Sequence, residues 1–368
     1  MKKLFVLFLV GLCLFSITAA AQEVEDPINQ VLDETLTKTE SINVPGFDFN
    51  QIIKKALGGT LDFRFDTLIH KFFSLLVQDV QANIGLLIKI LALAILAGVL
   101  CNLQQNLAKG SVAEISFLAC FASIAGLSVT ILAGINRLAG DTISNMMLLI
   151  AGFMPIMGSL TASASGIAIS GFYPGMFVAM QTFVSICQNI LLPAIMVISA
   201  LSVVNAVSGR FHITRLLDVA RQMVKWCLGL LLTIFVGILG VHSFTANASV
   251  SIAGRTVRYA LCNFVPLVGN VLAESAEAVI SSVRVVRGAV GVAGAIGLIV
   301  LCSVPLIKIL ATSVLYRFTA GIAEPVTDGR IVRLLMDLSG SISLTFSILL
   351  MVAVMFIISI ALLCSLII

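Results

Sequence analysis

PGMFVAMQTFVSICQNILLPAIMVISALSVVNAVS, Pro174 to Ser208, runs 35 residues without a single charge. About 20 apolar residues in a helix suffice to cross the hydrocarbon core of a bilayer. This stretch is long enough to span, and it decides the fold class. The rest of the chain agrees with it: 59% of residues are apolar and 11% are charged, and mean hydropathy is +1.12. Soluble chains carry roughly a quarter charged residues, so these charges could not cover a water-facing surface. The sequence predicts an all-α, polytopic helical membrane protein.

Working outward, seven more apolar segments qualify as spans: Ile84–Cys101, Ile115–Ile135, Ile143–Ser170, Trp226–Ala246, Arg258–Val283, Ala289–Leu315 and Ser339–Ile368. The N-terminus is different in kind. Lys2 and Lys3 precede the short apolar run Leu4–Ile17, which is followed by Thr18-Ala19-Ala20-Ala21. Those are the parts of a secretory signal peptide, so residues 1–21 are expected to be cleaved. Residues 22–83 read as an extracytoplasmic segment with amphipathic faces, for example Ile28, Val31, Leu32 and Leu36. The transmembrane domain then covers 84–368, with 84–135 holding its first two spans.

One phrase is written twice inside that domain. GFMPIMGSL (Gly152–Leu160) and NFVPLVGNV (Asn263–Val271) share Phe153/Phe264, Pro155/Pro266 and Gly158/Gly269. A further proline follows each, Pro193 after 38 residues and Pro305 after 39, as a candidate kink within a long apolar run. Each run leads to a basic linker with Ile-x-Arg-Leu-Leu, at 213–217 and 331–335, and then to another span. Four landmarks in one order predict two internal repeats, 150–246 and 260–368. Proline removes an amide donor and glycine permits a tight bend, so each phrase is expected to break its helix, either re-entering the membrane or crossing it fully. With re-entrant phrases, eight basic residues between Lys109 and Arg333 fall inside and five fall outside, Arg137 and Arg287 among the latter. Full spans give six against seven, so the positive-inside rule favours re-entry.

Catalysis finds little support. The three histidines are far apart, and no metalloprotease, phosphate-loop or Gly-x-Ser-x-Gly pattern occurs. The cysteines are scattered singly in apolar stretches and read as packing residues rather than metal or redox sites. No catalytic residue, cofactor, metal or nucleic-acid partner is expected. Charges within apolar runs are the better candidates. Lys308 follows Pro305 by three residues, while Glu274 and Glu277 share one helical face after Gly269. Either Lys308 pairs with one of these glutamates, or it snorkels to the interface while they lie in a wet helix. A basic amphipathic stretch, carrying Arg210, Arg215, Arg221 and Lys225, reads as an interfacial helix on anionic lipid or a docking face for a cytoplasmic partner.

The whole chain resembles the stage III sporulation protein AE family. The resemblance rests on Asn83–Ala122, on RTVRYALCNFVPLVGNVLAESAEAVISS (Arg255–Ser282) and on AEPVTDGRIVRLLMDLSGSI (Ala323–Ile342). It implies a protein of the mother-cell membrane facing the forespore in endospore-forming bacteria. It also implies companion stage III sporulation membrane proteins, ring-forming proteins and an ATPase, together making a secretion-like channel needed for late forespore gene expression. Homo-oligomerisation stays open. Beside this channel component stand two other functions: a self-contained secondary transporter, suggested by the repeats and intramembrane charges, and a structural scaffold for the companions.

Overall fold

The computed structural model describes residues 111–165, 172–207, 213–264 and 269–365, with part of 85–99. The signal peptide, the outer segment, half of the first span, Pro266 and Arg210 lie outside the described residues. All the regular structure described is helical. In chain order the elements are α1 (Ser111–Ser165), α2 (Phe172–Ile186), a π-helical turn (Cys187–Leu191), α3 (Leu192–Val207), α4 (Thr214–Phe264), α5 (Gly269–Ala323) and α6 (Gly329–Ser365).

Five segments are long and apolar enough to cross a membrane: Ile115–Pro155, Pro174–Val207, Thr214–Val241, Val285–Ala323 and Gly329–Cys364. The protein is thus an all-helical, multi-pass membrane protein. The spans in α1 and α4 are each 28% buried against 56% for α6, which makes α6 the central post of the bundle. It touches α1, α3, α4 and α5, and its buried face carries Leu338, Ile342, Leu349 and Phe356. Close packing of such side chains fills the middle of the bundle.

Contacts along α6 give the direction of each neighbour. Ser313 of α5 meets Ser339 near the start of α6, and Gly291 meets Cys364 near its end, so α5 runs antiparallel to α6. Ser202 of α3 lies at the depth of Asp337, whereas Leu192 lies at the depth of Thr345, so α3 is antiparallel as well. Asn136 of α1 bonds Thr345, and Phe153 reaches the deeper Gly294, so α1 runs parallel to α6. Counting α2, the π-helical turn and α3 as one span, up and down therefore alternate along the five spans. The α5–α6 turn in turn packs on the first described helical residues: Thr327 Oγ1 donates to the Ala94 carbonyl at 3.1 Å, and Gly98 abuts the Val326 carbonyl.

Two expectations change. Ile115–Ile135 and Ile143–Ser170 are not separate spans, because α1 runs through both as one 55-residue helix. The polar residues between them do not end it. Asn136 is buried, and its amide donates to the Leu192 carbonyl at 3.3 Å while its oxygen accepts from Thr345 Oγ1 at 2.6 Å. Nor does the first phrase break its helix, since Pro155 lies inside α1. A membrane helix tolerates a proline where neighbouring helices hold it, and Phe153 and Met157 on either side of it are buried. The second phrase falls at a boundary, with Phe264 closing α4 and Gly269 opening α5.

Pro193 is handled by a third route. The π-helical turn precedes it, and the Leu192 amide reaches back to the Cys187 carbonyl. The wider turn adds a residue before the proline, which relieves the clash its ring would make one regular turn back. Pro305 lies within α5.

Helix length has its own meaning. At 1.5 Å per residue, the 51 residues of α4 measure about 76 Å. A bilayer with its headgroups is about 40–45 Å thick, so α4 continues well past the membrane. Its span ends at Val241, and the helix goes on to Phe264.

Candidate functional site

At the end of the bundle where α3 stops, α4 starts, α5 stops and α6 starts, polar side chains converge in an otherwise apolar interior. Its centre is an ion pair. Arg221 of α4 donates through Nη1 to Asp337 Oδ1 of α6 at 2.9 Å, with side chains only 16% and 14% exposed. Through Nη2 the guanidinium also donates to Ser202 Oγ of α3 at 3.0 Å and to the Asp337 carbonyl at 3.3 Å. Planar donors in a fixed fork suit Arg to this role, joining three helices with one side chain. Exposed Asp218, one turn before Arg221 on α4, lies 3.7 Å from it.

Small residues let the charges approach. In DLSGSIS, Asp337 to Ser343, Gly340 presents only its hydrogens to the Arg221 Nε, which lies 3.9 Å from where a Cβ would be. Ser339 and Ser313 exchange hydrogen bonds through each other's backbone carbonyls, at 2.9 and 3.2 Å, and Arg317 Nε donates to Ser339 Oγ at 3.0 Å. Deeper on the same α6 lies the Thr345–Asn136 pair. A polar seam thus runs about 12 Å along α6, eight residues from Asp337 to Thr345. The α3–α4 connection is fixed beside it, because Asn205 Oδ1 accepts the Ile213 amide at 3.0 Å and Nδ2 reaches Thr214 Oγ1 at 3.4 Å.

The centre is not fully satisfied. Arg221 Nε and Asp337 Oδ2 are buried without a hydrogen-bond partner. A charged group with spare capacity in a low-dielectric interior is costly unless it serves a purpose, which is why intramembrane charges mark functional sites. Chemically the arrangement can hold opposite charges, exchange hydrogen bonds among hydroxyls and tie three helices together. Among the described residues no three His, Cys, Asp or Glu side chains gather to hold a metal.

The residues singled out from sequence land in different places. Arg221 is expected from sequence on an interfacial or partner-docking face; it turns inward, because position 221 shares the α4 face of buried Leu217, Val224 and Leu228. Arg215 and Lys225 remain exposed, next to exposed Leu216, Met223 and Trp226. Lys308 is exposed, and the structure excludes its pairing with the glutamates of its own chain. Lys308, Glu277 and Glu274 all belong to the unbroken α5. Lys308 lies 31 residues after Glu277, which is about 46 Å along one helix. The side chains of the two glutamates lie outside the described residues. Of the phrase residues, Phe153 packs its ring against Gly294 of α5, 2.7 Å from where a Cβ would stand, whereas Gly158 has open space around it.

Three residues of the interior escaped the sequence reading. Asp337 follows the Arg-Leu-Leu landmark by two residues, and its signal is a lone acid beside Ser-Gly-Ser at the head of the last apolar run. Asn136 falls between two of the spans expected from sequence, Ile115–Ile135 and Ile143–Ser170. Arg287 was counted outside the membrane, but it is 1% exposed and its Nη2 donates to the Leu363 carbonyl of α6.

Comparison with known proteins gives the family. The family described as Stage III sporulation protein AE matches residues 47–366. Stage III sporulation protein AE of Bacillus subtilis (strain 168) is 27% identical over 304 residues, covering 82% of this chain and 76% of that protein. No solved structure matches the chain. With the family spanning all five membrane-capable helices, this chain belongs to the stage III sporulation protein AE family and has a role in sporulation.

Proposed function

We propose that this protein is the polytopic component of a multiprotein, secretion-like channel between mother cell and forespore. It would lie in the mother-cell membrane facing the forespore and work with companion membrane, ring and ATPase proteins. Family membership supports the sporulation role, and one structural observation carries the choice of a shared channel. The centre of the single bundle is filled by α6, whose side chains occupy the axis around which the other spans pack. A passage then belongs between chains or between this chain and its companions. The alternating directions of the spans suit a sidedness in which the end of the bundle bearing exposed Arg215, Lys225, Arg330 and Arg333 faces the cytoplasm, in line with the positive-inside rule. The two-copy organisation is supported by the placing of its landmarks: Pro193 and Pro305 lie in α3 and α5, and each is followed by a helix whose first turns carry Arg-Leu-Leu.

A self-contained permease is the second reading, favoured by the buried Arg221–Asp337 pair. Purification from native membranes decides between them. Co-purification with ring and ATPase companions, and no solute movement in liposomes by the chain alone, is the expected outcome. Solute transport by the isolated chain would sink the channel reading.

The exposed Lys308 provides a smaller test. Its side chain makes no ion pair with any described residue, so Lys308→Met is expected to accumulate normally and to support normal forespore gene expression. A sporulation defect in that variant, at normal protein level, would show that Lys308 meets a charge outside its own chain.

A further inference from the structure

The unbroken course of α1 carries charge into a membrane span. Arg137 and Asp141 lie one turn apart on α1, both exposed, and exposed Ser144 and Asn145 continue the same edge. The π-helical turn lies against this edge, since Gln188 Nε2 donates to the Gly140 carbonyl at 3.0 Å and to Ser144 Oγ at 2.9 Å. Exposed Asn189, whose Nδ2 donates to Ser185 Oγ at 2.9 Å while no described group bonds its side-chain oxygen, follows Gln188 in the turn. These six residues form one polar patch on the outside of the bundle, within the spans Ile115–Pro155 and Pro174–Val207. Around it the outward face is apolar, with Leu127, Leu148, Ile190 and Val197 between 40% and 69% exposed.

Lipid tails cannot satisfy such a patch. Hydrocarbon offers no hydrogen bond, and exposed charges at membrane depth are rare unless they pair or line water. Arg137 and Asp141 make no ion pair with each other, although they are four residues apart, and neither bonds any other described residue. What covers the patch must therefore bring both a carboxylate and a guanidinium, and amides as well. A partner face of one sign would leave half of it unmet. The patch is complementary to itself: it holds one cation, one anion and amides that both donate and accept.

We propose that the patch formed by α1 and the π-helical turn is the contact between two copies of this chain in the membrane. A two-fold axis along the membrane normal brings the same surface of each copy together. The two α1 helices then run parallel at equal depth. The long Arg137 side chain reaches one turn along to Asp141 of the second copy, as charges flanking a parallel coiled coil do. Asn145 and Asn189 meet amides at their own depth and hydrogen-bond between helices. The contact goes beyond the channel reading and does not depend on what passes through.

Cross-linking of the full-length chain in native membranes tests this. With native cysteines replaced by serine, Asn145→Cys is expected to yield a disulfide-linked dimer on mild oxidation. Trp226→Cys, on the exposed face of α4, is expected to yield none. Arg137→Asp or Asp141→Arg alone should cut the cross-linked fraction roughly fivefold or more, and the double exchange should restore it. The same pattern is expected when two differently tagged copies, cysteines intact, are co-purified in detergent, so the answer does not depend on the cysteine-free chain. Absence of a dimer at position 145 overturns the proposal. So does a cross-link there only to a protein of another mass, labelling of that cysteine by an impermeant maleimide without dimer, or failure of the double exchange to restore association.

Discussion

Asp337→Ala is expected to remove most of the folded protein from the membrane. The substitution leaves the Arg221 guanidinium in a site where it is 16% exposed, with its principal acceptor gone. Breaking a buried pair by deleting one partner costs about 3–5 kcal/mol, because the remaining charge stays desolvated and unpaired. Solvent screening offers little relief, as neither side chain reaches a fifth exposed. The pair itself need not be stabilising. Replacing both members with apolar residues of similar volume is often neutral or better, so Arg221→Met/Asp337→Leu is expected to regain much of the lost protein. The comparison is made on the amount of membrane-inserted chain and on the melting temperature after purification in detergent. An Asp337→Ala protein as abundant and as heat-stable as the parent would show that Arg221 finds water or another acceptor. If the apolar double variant folds but cells carrying it fail to complete sporulation, the pair is kept for function rather than for folding.

Gly294→Ile is expected to be strongly destabilising. The α1–α5 contact is closed by the Phe153 ring lying over Gly294, 2.7 Å from the position of any added Cβ. Phe153 is itself 2% exposed, so its ring has nowhere to withdraw. Overpacking of a filled interior costs about 1–3 kcal/mol, and Phe153→Ala on its own costs about 3–5 kcal/mol by leaving a cavity. Combined, the two should cost less than their sum, since the isoleucine fills space the ring vacated. Thermal melts of the four proteins measure that coupling. Simple additivity would mean that Phe153 and Gly294 do not touch.

Long apolar runs made the all-helical membrane class legible, because hydrophobic length in a bilayer is a one-dimensional property. Where helices stop was less legible. Pro155 and the Asn136–Thr142 region carry the local marks of a break, and tertiary partners override both: buried neighbours flank the proline, and Thr345 with the Leu192 carbonyl satisfies Asn136. The inward turn of Arg221 was hidden for a related reason. A basic amphipathic stretch has two faces, and only packing decides that position 221 belongs to the face of Leu217 and Val224. The Lys308–glutamate pairing looked open only while a break between them seemed available; an unbroken α5 separates them by its own length. Asp337 and Arg221 are 116 residues apart, and no spacing rule links them.

The length of α4 has a consequence of a different kind. Some 23 residues follow Val241 before the helix closes at Phe264, about 34 Å of continuous α-helix. A rod of that sort is a gauge. The reach of the chain beyond its own bilayer is counted in residues, and each one removed would shorten it by about 1.5 Å and rotate its tip by about 100°. Anything that must meet that tip is held to a fixed clearance and a fixed bearing at once.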